Sequence, residues 1–273
     1  MSVDREQQAD SAPGGSAPPG RAGDSAPPAR PIPPSIELAW GLRDRGARGP
    51  KRGLTLERIV DAGIAIAGAE GLEALSMSRV ARELEVGTMS LYRYVAAKGE
   101  LLTLMVDAAL GVPPAAANGE GWRAGLARWA IGVRDRYQRH PWALRIPIDA
   151  PPLGPNNVAW LENALRALAE TPLSEEQKLS SVLLVSGFVR NEATLTADFA
   201  AASGGEQVMP GYGTMLSQLT DESDFPALHR AIASGALDDE DDIDHEFDFG
   251  LERVLDGIEV LIERERRGGG AGP

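Results

Sequence analysis

From Leu54 to near the C-terminus apolar side chains return every three or four residues, and no stretch alternates with the period of two that a half-buried strand requires. That periodicity restricts the chain to helices packed on helices. Thr55 is a good N-cap, and Leu56, Ile59, Val60, Gly63 and Ala67 share one face of a helix that Gly71 stops. Ser76 caps a short second helix through Leu84, which turns Val80, Ala81 and Leu84 inward. After a Val86-Gly87 turn, a third helix is expected over 88–95. A fourth starts at Lys98, carries Leu101, Leu102, Met105, Val106 and Ala109, and stops at Gly111-Val112-Pro113-Pro114. Further helices are expected from Trp122 to before His140-Pro141, over 158–170, from the Ser174 cap to about 202, in shorter pieces over 211–234, and over 246–267. The fold class is all-α.

The flanks differ in kind. Residues 1–34 hold eight Pro, four Gly and six Ala with hardly a large apolar side chain, so burial cannot offset the entropy of ordering them. They are expected to be a disordered tail, as are residues 268–273. Residues 35–53 place Ile36, Leu38, Trp40 and Leu42 before Arg43, Arg45, Arg48, Lys51 and Arg52. An apolar anchor with a DNA-contacting basic arm and a solvated linker are both open readings of that segment. The run from Asp238 to Glu246 lacks the Gly-bearing spacing of a calcium loop and reads as a solvated acidic loop before the last helix, so no metal site is expected there.

Composition excludes several classes. Without cysteine there is no disulfide, no Cys-held metal and no thiol nucleophile, which fits the cytoplasm. No apolar run approaches the roughly 18–20 residues of a membrane helix, and the first thirty residues lack a signal-peptide core. An enzyme is not expected: the chain has three His, no Gly-rich phosphate loop after a strand and no serine in a nucleophile elbow. The net charge of −13 opposes general adhesion to nucleic acid, and argues against an architectural DNA-binding protein. Residues 41–100, however, hold ten Lys/Arg against eight Asp/Glu, while 1–40 and 101–273 are both net acidic. Any DNA contact is therefore local.

Two short helices about a Gly-bearing turn, braced by a longer one, make a helix-turn-helix with its motif near 76–95. The runs Thr55-Leu56-Glu57-Arg58-Ile59-Val60, Glu70-Gly71-Leu72-Glu73-Ala74-Leu75-Ser76-Met77 and Val86-Gly87-Thr88-Met89-Ser90-Leu91-Tyr92-Arg93-Tyr94-Val95, followed by Lys98 and Leu101-Leu102, closely resemble the DNA-binding domain of the TetR family of transcriptional regulators. Two positions depart from the family pattern: Glu85 stands where a glycine usually closes the second helix, and Gly99 where a stronger helix former or an acid is common.

The resemblance implies a regulator, typically a repressor, that binds a double-stranded palindromic operator as a homodimer and is released by a small molecule. Residues 54–100 would read DNA and 101–267 would bind effector and dimerise. Thr88, Met89, Ser90, Arg93 and Tyr94 would face the major groove, Arg93 reaching guanine O6/N7. Tyr92 and Lys98 would hold phosphate, with Ser78 and Arg79 facing the same backbone. The helix from Ser174 and the terminal stripe Leu251, Val254, Leu255, Ile258, Leu261 and Ile262 would serve a dimer or the monomer core. Met105, Trp129, Trp142, Trp160, Phe188, Arg190 and Asn191 are the candidate effector contacts. No cofactor is expected, and no motif carries over the magnesium that tetracycline members use.

Overall fold

The computed structural model describes residues 32–42, 54–148, 151–203, 211–237 and 243–268. The tails expected over 1–34 and 268–273 lie almost wholly outside them, as do the basic cluster 43–52 and residues 238–242 of the acidic run. Among the described residues there are eleven α-helices, two 3-10 turns and no strand.

Near the start, α1 (Pro34–Ala39), α2 (Leu56–Glu70), α3 (Met77–Glu83), α4 (Thr88–Leu91) and α5 (Lys98–Leu110) enclose one core. The caps lie where side-chain chemistry places them. Thr55 Oγ1 accepts from the Arg58 amide at 3.2 Å, and Ser76 Oγ from the Arg79 amide at 3.1 Å. Ile59, Val80, Leu91, Val95, Leu101 and Met105 are sealed from solvent, each contributing about 1.5–3 kcal/mol by burial. Met105 lies directly over Gly63, where an added Cβ would come 2.7 Å from its sulfur. Gly63 thus permits α2 and α5 to touch.

Two elements differ from the sequence reading. The third helix closes at Leu91, after one turn, although Val95 N–H still reaches Leu91 O at 3.0 Å and extends the helical path. The segment before the basic cluster contains α1, which buries Ser35 and Ile36 and leaves Trp40 and Leu42 exposed.

A second core joins α6 (Trp122–Arg139), α7 (Pro155–Ala167), α8 (Glu175–Ser203) and α11 (Ile243–Gly268). Ser174 and Gln177 form a reciprocal capping box: Gln177 N–H donates to Ser174 Oγ at 3.2 Å, and Ser174 N–H to Gln177 Oε1 at 2.8 Å. Glycines let the helices approach, with Gly132 under Trp160 and Gly250 under Phe188. Arg123 ties α6 to α11 by pairing with Glu252, Asp256 (2.6 Å) and Glu259 (3.1 Å). Between the two cores lies the 3-10 turn Pro141–Arg145, whose Trp142 and Ala143 belong to the first. The helices α9 (Tyr212–Leu219) and α10 (Pro226–Ala233) are joined by the Thr220–His229 hydrogen bond of 3.0 Å. Among the described residues no helix is long and apolar enough to cross a membrane.

Candidate nucleic-acid interface

The α3–α4 connection decides what this end of the molecule presents. Its backbone closes α3 as a Schellman motif: Val86 N–H reaches Ala81 O at 3.0 Å and Glu85 N–H reaches Arg82 O at 3.2 Å. That geometry requires a left-handed residue, and Glu85 supplies it at φ +55°, the one non-glycine with positive φ among the described residues. The departure at position 85 therefore leaves the turn intact at a conformational cost of about 1–2 kcal/mol.

Leu91 and Val95 anchor α4 and the following turn in the core, which forces their neighbours outward. Met89 is 78% exposed, and Tyr92, Arg93, Lys98 and Ser78 are exposed as well; Thr88 and Ser90 are half-buried. Tyr92, Arg93 and Lys98 thus offer an aromatic ring and two positive charges to solvent, groups suited to phosphate and base edges.

Two of the expected DNA contacts are engaged within the protein. Arg79 is clasped by Glu70 and by Glu83, the latter at 2.7 Å. Hydrogen bonds to the two carboxylates push its pKa up, and the guanidinium in turn holds Glu70 below the usual carboxylate range. Tyr94 donates its hydroxyl to Leu54 O at 2.7 Å, fastening the turn to the start of α2. Both side chains shape the presenting surface from within.

The seven candidate effector contacts do not gather around one cavity. Met105 and Trp142 belong to the first core, whereas Trp129 and Trp160 cross edge-to-face at 6.1 Å in the second. Both of those indole N–H groups are used at 2.8 Å, Trp129 on Trp160 O and Trp160 on Gly111 O. Phe188 lies 5.5 Å from Phe247. Arg190 donates to Leu144 O and Ile146 O, each at 3.0 Å, so it stitches α8 to the 3-10 turn. Asn191, its neighbour, is exposed, because adjacent helical residues point about 100° apart. Trp142 Nε1 is buried without a hydrogen-bond partner. Beside its turn lies a cavity of about 10 Å³ lined by Val106, Leu110, Arg136, Tyr137, His140 and Ala143, none of them among the seven.

Sequence reasoning missed the polar joint at Asp107. This residue is only 4% exposed, and Asn156 and Asn157 at the start of α7 converge on its carboxylate. The available signal was an acid on the same helix face as Leu104. Also missed was a groove of about 290 Å³ between α8 and α11, with Leu184, Ile258 and Leu261 in its wall. The α8 face beside it leaves Leu179, Leu183 and Leu184 in solvent, with Leu195 and Phe199 further along.

Comparison with known proteins agrees with this layout. Residues 59–105 match the family model described as bacterial regulatory proteins, tetR family, and residues 114–262 match the tetracyclin repressor-like C-terminal domain. The chain is 40% identical to the HTH-type transcriptional repressor DrrR1 of Streptomyces coeruleorubidus, over 85% of this chain and 87% of that protein. It is 25% identical to the tetracycline repressor protein class D of Escherichia coli, over 77% and 91%. Among solved structures, apo ActR from Streptomyces coelicolor superposes with a TM-score of 0.66 at 30% identity, covering 80% of this chain and 99% of that one. ActR in complex with actinorhodin gives 0.66 at 32%, covering 77% and 99%.

Proposed function

The chain belongs to the TetR family of bacterial transcriptional regulators, and from that premise we propose that it is a ligand-responsive repressor that leaves its operator when a small molecule binds. The observation that carries the reading is the exposed row Met89, Tyr92, Arg93 and Lys98, held out by the buried anchors Leu91 and Val95. In this reading residues 54–100 bind DNA, Arg93 reads a base, and Tyr92 and Lys98 hold phosphates. Thr88, Met89 and Ser90 complete the reading face, and Ser78 adds a backbone contact. Arg79 and Tyr94 brace that face from behind.

Homodimerisation rests on the α8 face. Leu179, Leu183 and Leu184 are exposed on it, beside a groove against α11, and support that reading. A second copy covers it by two-fold symmetry, giving a four-helix contact. Residues 101–267 also receive the effector. Support comes from ActR, whose structures include complexes with actinorhodin and with (S)-DNPA. The protein is a cytoplasmic regulator and not an enzyme, and DNA, effector and its own second copy are its partners.

Selection of bound DNA from a random pool by the full chain tests this reading. Enriched sequences should contain an inverted repeat with half-site centres about 34–36 Å apart or a multiple of that. A monomer bound to single half-sites would overturn the dimeric reading.

A further inference from the structure

A long helix that begins beside the DNA-reading turn and ends inside another domain transmits motion only if its far end is held. Lys98 opens α5 at the exposed row, and Asp107 lies about 13 Å further along the axis. There the carboxylate is buried and fully used. Asn157 donates its amide and side-chain N–H groups to Oδ1 at 2.8 and 2.7 Å, and Asn156 donates its own to Oδ2 at 3.3 and 3.2 Å. The Asn156 side chain also reaches Asp107 O at 3.1 Å. Gly154 closes the joint, since a Cβ there would lie 2.1 Å from Oδ1. A carboxylate accepting the first amides of α7 also meets the positive end of that helix's dipole.

A second tie runs outside the helix. Ser35 of α1 donates to Glu100 Oε2 at 3.0 Å, in the first turn of α5, and the same oxygen accepts from Ala96 N–H at 2.9 Å. At the other end of α1, Trp40 Nε1 donates to Leu153 O at 2.7 Å, one residue before Gly154. Thus α1 spans from the DNA-proximal end of α5 to the start of α7. It lies outside both stretches that match the family models.

We propose that Asp107 is a positioning residue that makes α5 and the start of α7 one lever, and that α1 straps the same joint from outside. The lever conveys the DNA-bound state of the reader to the first turn of α7, and conveys a movement of α7 back to the reader. The proposal rests on the DNA-binding reading above.

The test is hydrogen exchange of the full chain, alone and with a DNA fragment enriched by that chain from a random pool, followed in peptides covering 154–160. In the parent protein DNA should slow exchange in the first turn of α7 by about fivefold, the lower end of typical couplings. Asp107→Ala should still bind the fragment and lose that slowing. Asp107→Asn, which keeps an acceptor for Asn157, should restore part of it, and Trp40→Phe should weaken it. Ile262→Val, a core change away from the joint, should leave it in place and so separates positioning from loss of stability. If Asp107→Ala does not fold, Asn157→Ala serves, because it removes one side-chain donor and leaves the backbone bond. Equal slowing in the parent and in the variants at the joint would overturn the lever, as would DNA binding by the parent with no change at 154–160. Failure of the parent to bind any DNA would overturn the functional reading and the lever with it.

Discussion

The two cores solve the same packing problem with different materials. The first is assembled from helices of at most 15 residues, mostly aliphatic side chains beside Trp142, and local caps, and Met89 is the large aliphatic side chain exposed on α4. The second uses long helices, paired tryptophans and phenylalanines, and leaves an apolar strip of α8 in solvent. On the proposed reading the first presents a surface to DNA, while the second offers its exposed α8 leucines to a second copy. Recognition and assembly are divided between the two ends, with α5 and the Trp142 turn between them.

Breaking one core at a time gives the largest expected effect. Leu91→Ala and Leu255→Ala each remove a fully buried side chain, at a cost of about 2–5 kcal/mol. Leu91→Ala should abolish DNA binding while the mass in solution stays that of a dimer. Leu255→Ala should lower the thermal midpoint and the dimer mass, with DNA binding lost only as the dimer dissociates. DNA titration beside sedimentation reads both. Parallel loss of both properties in both variants would mean that the cores unfold as one.

Within the presenting surface the division between reading and anchoring can be sharpened. Arg93→Ala should cost about 1–3 kcal/mol and relax preference at one base pair. Lys98→Ala should weaken all sequences alike and lower the salt slope by about one phosphate. Uniform loss in both variants, measured on a panel of single-base changes, would move Arg93 to the backbone contacts.

How legible each region was follows from the same contrast. The caps Thr55 and Ser76, the stop at Gly71 and the buried positions Ile59, Val80 and Leu101 are decided within a few residues, so sequence spacing sufficed. The exposed row followed because Leu91 and Val95 fix which side of the turn faces in. What was not legible depends on distant partners. That Arg79 is also clasped by Glu70, nine positions away, could not be read from its spacing. Trp129, Trp160 and Phe188 have the composition of a pocket, yet Trp129 packs on Trp160 and Phe188 on Phe247, and only the tertiary fold distinguishes the two. Asp107 reads as one polar residue in an apolar helix until α7 arrives to use it.

A smaller effect is expected from the residue that departs from the family pattern. Glu85→Gly removes the left-handed strain, and the freer unfolded chain takes back part of the gain, leaving about 0.5–1 kcal/mol of stabilisation. The same change removes an acid next to the presented surface, so affinity for DNA should rise slightly, more at low salt than at high. Denaturant midpoints and a salt titration measure the two parts. A fall in stability would show that contacts of the Glu85 side chain outweigh its backbone strain.

The smallest effect concerns the seam between the cores, where His140 lines the small cavity and stacks edge-on against Trp142 at 5.7 Å. Burial pushes its pKa below the ordinary 6.5, and the positive charges of Arg136 and Arg139 push it further the same way. The folded protein therefore resists a proton that the unfolded chain accepts. Stability contributed by neutral His140 is present above pH 6.5. It declines as pH falls below 6.5 and levels off once the folded protein also takes the proton. The lowered carboxylates Glu70, Glu120 and Asp256 act in the same direction, but they start from ordinary values of 4.5, 4.5 and 3.8 and so do so at lower pH. Thermal midpoints between pH 7.5 and 5.5 isolate the histidine. His140→Gln should flatten that slope while leaving the region below pH 5 unchanged. An unaltered slope in the variant would place the proton uptake elsewhere and leave the seam insensitive to pH.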